Sequence, residues 1–211
     1  MGRRAAWFLC FSAGIASAAV AVAAPREERA SRLGAGNLAA FGQPSDFGAR
    51  LAAAARRQTS NFVLYNPAYT KIAYPMGDVP KCMGVCTDVV VRAYRTFGID
   101  LQVLVHKSGV GSGDTNIDHR RVEVLRRFLA RHGQSLPISK NPADYKPGDL
   151  VTYHMPDGWF SKTHIAIVAA EKSATGVPLV VHNRGWGVQS EDWLFAEKIT
   201  GHYRYAGPSG R

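Results

Sequence analysis

The chain has 211 residues, 46% of them hydrophobic, which suits one domain with a sizeable core and excludes a disordered tail protein. Gly 21 and Pro 11 lie near ordinary usage, no period of 20 to 50 residues recurs, and three cysteines are too few for a disulfide-built miniature fold, so collagen, solenoid and knottin architectures fall away. The balance of 26 basic to 16 acidic residues, a net +10, favours anionic partners such as nucleic acid, membrane surface or cell-wall polymer without choosing among them.

Arg3 and Arg4 precede an apolar run from Ala5 to about Ala19, and Ala21-Val22-Ala23 forms an A-x-A arrangement. This pattern predicts a signal peptide over residues 1–23. The run falls short of the ~20 apolar residues that a spanning helix needs, so no membrane insertion is expected once the signal is removed. Leu9 stands where a lipobox needs a small residue, which excludes lipidation at Cys10. Loss of Arg3 and Arg4 leaves 24 basic against 16 acidic residues, a net +8. A periplasmic or secreted location removes nucleic acid from the expected partners and places Cys82 and Cys86 in an oxidising compartment.

Residues 24–44 lack apolar periodicity and read as a flexible leader, with the domain over 45–207. Ser45 is placed to cap a helix with Phe47, Leu51 and Ala54 or Ala55 on one face, ending near Gln58. From Tyr65 to Val85 the prolines predict a loop. Val89-Val90-Val91 favours strand, but Val90, Tyr94 and Phe97 share a helical face and Gly98 supplies a stop, so Cys86 to Phe97 is assigned as helix. Residues 107–117 read as a flexible connection, and Asp118 as the cap of a helix that runs to Gly133. Strands follow at Asp149–His154, His164–Ala170, Leu179–Asn183 and around His202–Tyr205, with connections mostly too short for helices. Helices first and an antiparallel sheet after is an α+β order.

Thiol hydrolysis needs a thiolate, a base and a group that fixes the base's tautomer. Cys86 at a helix start meets the first demand, because the free N–H groups and dipole of the first turn stabilise a thiolate, and its own N–H can serve an oxyanion hole. A disulfide with Cys82, four residues away, is the competing use of that sulfur. His164 heads the run Ile165-Ala166-Ile167-Val168, and His182 lies near the end of Leu179-Val180-Val181-His182-Asn183. Neighbouring strands presenting one ring each suit a base and its orienter.

The order of a Cys opening a helix, Pro147-Gly148-Asp149 before a strand, His164-Ile165-x-Ile167-Val168, then Val181-His182-Asn183 resembles the NlpC-type (NlpC/P60) papain-like peptidases of bacterial cell walls. More closely, several blocks resemble the DUF1287 family over about residues 46–206: Tyr74-Pro75-x-Gly77-Asp78-Val79, Gly84-Val85-Cys86-Thr87-Asp88, Gly98-Ile99-Asp100-Leu101-Gln102, Asn116-Ile117-Asp118-His119-Arg120-Arg121 and Gly201-His202-Tyr203-Arg204-Tyr205. The resemblance implies a papain-like hydrolase acting on amide bonds of peptidoglycan stem peptides, with Cys86 as nucleophile, His164 as base, His182 as orienter and Tyr74 lining the oxyanion site. No cofactor or metal is implied. Asp88, Asp118, His119, Arg120, Arg121, Asn183 and Trp186 are the candidate muropeptide-binding residues. Met76 stands where the family motif usually has Gly, and Cys82 lies outside the motif.

The rival from another class is a non-catalytic wall-binding module in which Cys82 and Cys86 form a disulfide. A zinc site lacks its second half, since no H-x(3–5)-H pair follows Cys82-x-x-x-Cys86.

Overall fold

The computed structural model describes residues 44–208, so the predicted signal peptide and leader lie outside the described residues. Four helices precede or pack on one six-stranded sheet. α1 is Pro44–Arg57, beginning with a proline whose fixed φ suits a first helical position. β1 (Leu64–Tyr65) and β2 (Met83–Gly84) form a two-residue parallel ladder, pairing Leu64 with Met83 and Tyr65 with Gly84. α2 is Cys86–Arg95, so the helical face outweighs the strand propensity of the three valines. Val89, Val90 and Val91 are all buried, which is why the run looks strand-like while the element is a helix in the core.

Two departures from expectation follow. Leu101–Ser108 is a helix, α3, started by the Asp100 carboxylate accepting the N–H groups of Gln102 and Val103 and ended by Gly109 in the left-handed region. The helix expected from Asp118 is split: Asp118–Arg120 is a single 3-10 turn, Arg121 is extended, and α4 is Val122–His132. Asp118 does not cap it. Its carboxylate accepts Ser112 Oγ and the Gly113 N–H, each at 2.8 Å, and so folds the glycine-rich segment around itself. A Cβ at Gly111 would overlap that carboxylate, which is the reason for glycine there.

The sheet comprises β3 (Gln134–Ser135), β4 (Leu150–His154), β5 (Thr163–Lys172), β6 (Pro178–Asn183), β7 (Val188–Glu191) and β8 (Lys198–Arg204), in the order β3-β8-β4-β5-β6-β7. Every pairing is antiparallel, as expected from the short connections. Ile165, Ile167 and Ala169 face the helices with Leu51, Val90 and Leu125. Ala166 and Val168 face a second cluster with Tyr153, Val180 and Leu194. Two-sided burial of β5 explains its unbroken apolar run. Among the described residues no helix is long and apolar enough to cross a membrane.

Candidate active site

Cys86 is the first residue of α2, 3% exposed, and carries a free thiol. The disulfide with Cys82 is therefore not formed. Sγ faces the backbone N–H groups of Ile165, Thr87 and Cys86 itself, which favour the thiolate. Burial outweighs them and pushes the thiol up to about 12. The expectation of a resting thiolate is thus corrected: two donors at the helix start and one on β5 do not offset the loss of water around the sulfur.

His164 and His182 come together as predicted. His164 Nε2 lies 2.9 Å from His182 Nδ1, and His182 Nε2 lies 2.7 Å from Glu191 Oε2. Glu191 also receives Arg184 through Nε at 3.0 Å and Nη2 at 3.1 Å. The His182 hydrogen bond, aided by Arg184, lowers the Glu191 carboxyl to about 2, so it is a carboxylate that only accepts. Hence His182 Nε2 donates. Burial holds both rings below the usual histidine range, further for His164 because His182 stands beside it. A neutral His182 then accepts at Nδ1, His164 donates from Nε2, and His164 Nδ1 is left with a free lone pair. One chain of bonds from a carboxylate thus fixes the tautomer of His164.

Both rings lie against Trp193, at 5.5 and 5.0 Å between centroids. His164 shares its face of β5 with Ala166 and Val168, whereas Cys86 approaches from the helical side and meets the strand at the Ile165 N–H. Thiol and ring thus meet the start of β5 on its two opposite faces, and among the described residues no hydrogen bond joins them. The resting pair is a neutral thiol and a neutral imidazole.

A cleft of about 450 Å³ opens over Cys86, with Tyr65, Tyr69, Phe160, Arg120, Arg121 and Thr163 in its wall. Tyr65 is delivered there by the β1–β2 ladder, with Asn66 N–H on the Gly84 carbonyl at 3.3 Å. Burial, then the charges of Cys86 and Asp88, raise the Tyr65 hydroxyl above its ordinary range, so it stays a donor.

Tyr74 does not reach this cleft. It is 43% exposed and stands edge-on to His106, with 5.5 Å between ring centroids. Asp88 is buried and fully engaged: Oδ2 accepts the Val85 N–H at 2.7 Å, and Arg120 forks onto both oxygens at 2.8 and 3.0 Å. It fixes the start of α2 and, buried outside the cleft wall, does not present itself to a substrate amine. His119 is buried away from the cleft wall, its basicity lowered to about 4 by burial. Asn183 is buried and ties the Gly84 carbonyl to the Gly185 N–H at 3.3 and 3.1 Å, holding the segment that leads into Cys86. Trp186 is 81% exposed and borders neighbouring grooves with Phe62 and Trp159. Arg120 and Arg121 are in the cleft as expected.

The residues missed from sequence are Glu191 and Tyr65. Glu191 sits on β7, whose pairing sets His182 opposite Gln189, so Glu191 occupies the diagonal position on the same face. The alternation Val188-Gln189-Ser190-Glu191 after a glycine pair was the available signal. Among the described residues no three His, Cys, Asp or Glu side chains gather in a metal-binding group.

The family model DUF1287, a domain of unknown function, matches residues 52–205. Uncharacterized protein YijF of Escherichia coli strain K12 is 44% identical over 167 residues, covering 74% of this chain and 80% of its own. Two solved structures from Trichomonas vaginalis, NlpC2 and NlpC1, share 18% identity and TM-scores of 0.46 and 0.47. The matches cover 75% and 78% of this chain, which spans less than half (46%) of each of theirs.

Proposed function

This chain belongs to the DUF1287 family, and from its site we propose that it is an exported cysteine hydrolase, a peptidase or amidase that cuts amide bonds in peptidoglycan stem peptides. The observation that carries this reading is the Glu191–His182–His164 chain, which leaves an unprotonated nitrogen at the start of β5, the strand whose Ile165 N–H faces the free thiol at the start of α2. Export rests on the signal-like residues 1–23, and the wall polymer on the net +8 and the motif resemblance.

The chemistry is a two-step acyl transfer. As Sγ attacks the carbonyl carbon, its proton passes to His164 Nδ1, and the carbonyl oxygen takes up charge near the Cys86 N–H. Collapse breaks the C–N bond, His164 protonates the departing amine, and a thioester remains. Water then gives a proton to His164 and attacks the thioester, releasing a carboxylic acid and restoring the thiol. Because the resting partners are neutral, the ion pair forms only during attack. Glu191 acts through the rings as a positioning residue.

The test is incubation of the reduced, purified protein with muropeptides, followed by mass spectrometry. Two fragments whose masses sum to that of the substrate plus one water, absent with Cys86→Ala, are expected, and those masses name the bond. Equal products from wild type and Cys86→Ala would overturn the reading. The wall-binding module built on a Cys82–Cys86 disulfide loses its premise, since Cys86 is a free thiol.

A further inference from the structure

Arg120 is 6% exposed in the wall of the Cys86 cleft, with Nε and Nη2 satisfied by Asp88. Its third nitrogen, Nη1, has no partner among the described residues. A guanidinium donor kept from water without an acceptor is destabilising, and Asp88 does not take it, because the carboxylate faces the Nε–Nη2 edge of the guanidinium and Nη1 lies off that edge. The arginine is also held in place from behind: its carbonyl accepts Thr87 Oγ1 at 2.9 Å, which locks it to the first turn of the nucleophile's helix. Arg121, exposed in the same wall, makes no ion pair among the described residues. Glu123 is the one carboxylate in that wall, and Arg126 engages it at 3.2 Å. The cleft therefore presents two guanidinia and no uncommitted negative charge.

We propose that Arg120 Nη1 and Arg121 form a subsite for a free carboxylate on the substrate, carried by the residue next to the amide that Cys86 attacks. Asp88 keeps the arginine fork aligned and offsets its charge while the subsite is empty. The substrate class becomes an anionic peptide, and one whose carboxylate is converted to a carboxamide is discriminated against. The identity of the ligand as a stem peptide, and the place of its carboxylate beside an amide that Cys86 attacks, rest on the hydrolase reading; the affinity of the two arginines for a carboxylate does not.

The experiment uses the full-length Cys86→Ala protein, which binds without turnover. It is titrated calorimetrically with two versions of one stem peptide, bearing a free carboxylate or a carboxamide beside the target amide. The carboxylate form should bind about tenfold tighter or more. Arg120→Lys keeps the charge but loses the fork, and Arg121→Gln removes the outer charge; each should shrink that ratio. Equal affinities, no binding of either form, or an unchanged ratio in folded Arg120→Lys and Arg121→Gln would overturn the proposal. Should Arg120→Lys fail to fold, the two-peptide comparison and Arg121→Gln decide it. Discrimination without cleavage by wild type sinks the hydrolase reading and upholds the subsite, whereas cleavage without discrimination does the reverse.

Discussion

Two carboxylates on this sheet are each gripped by a histidine and an arginine, and they differ in where the histidine's other nitrogen leads. Asp149 receives His202 Nε2 at 2.9 Å and Arg204 at 2.7 and 2.9 Å, and His202 Nδ1 ends on the Pro137 carbonyl at 3.1 Å. That cluster is closed, with both ring nitrogens facing acceptors fixed to the fold. Burial pushes the Asp149 carboxyl up, yet the bonds from His202, Arg204 and the Lys146 N–H win and hold it below its usual range. Glu191 receives His182 and Arg184 in the same manner, but His182 passes its second nitrogen to another ring. Composition does not distinguish a fastener from a proton relay; the acceptor at the far nitrogen does.

The comparison breaks most sharply at the open end. Cys86→Ala or His164→Ala should each lower turnover by roughly 10³-fold or more with the fold intact, read from steady-state cleavage and circular dichroism. At the closed end, Asp149→Asn should cost about 3 kcal/mol in urea unfolding, because it strands a histidine and an arginine around a buried site, while the residual folded protein keeps its activity.

Glu191→Gln sharpens the contrast. It should lower kcat by about tenfold with only a small loss of stability. The sign in pH follows from its charge: Glu191 raises the basicity of both His182 and His164, so its removal lowers the pKa of the base. The acid limb of the kcat/KM profile should move to lower pH. No movement of that limb would reduce Glu191 to a second fastener. Alkylation of Cys86 by iodoacetamide should be slow at pH 6 and climb without a plateau toward pH 10, as suits a thiol pushed up to about 12. A plateau below pH 7 would reveal a resting ion pair. The smallest effect is expected at Met76, which adopts φ 61°, the left-handed region, with its N–H on Asp100 Oδ2 at 2.7 Å. Met76→Gly should gain about 1 kcal/mol in thermal or urea unfolding.

Much of the site was legible because its signals are local. A cysteine before an amphipathic run reads as a helix start, and a histidine heading an apolar alternation reads as a strand start. The order of helices and strands was equally visible. What escaped depends on partners distant in sequence. Asp118 looks like a cap until the segment before it supplies the Ser112 hydroxyl and the Gly113 N–H. Tyr74 has the right spacing from Cys86, but a ladder with Gly84 brings Tyr65 to the cleft instead, and no periodicity announces a two-residue parallel pairing. α3 was missed although its caps, Asp100 and Gly109, were in plain view. Glu191 needed the register of β7.

That short ladder has a consequence for how the cleft can be altered. β1 and β2 clamp the two ends of the segment 66–82 side by side; its second half is anchored to Asp100, Gln102, Arg92 and Arg95, whereas residues 67–72 are tied to the rest of the fold by Tyr69 Oη on Asp114 and the Ile72 N–H on Asn116 Oδ1. Closure entropy grows slowly with length once the ends are pinned. Residues 67–72, of which Pro67 and Tyr69 line the cleft, can therefore be lengthened, shortened or exchanged while Tyr65 and Cys86 keep their positions. Selectivity for what approaches the cleft becomes a graftable trait, inherited separately from the apparatus that performs the reaction.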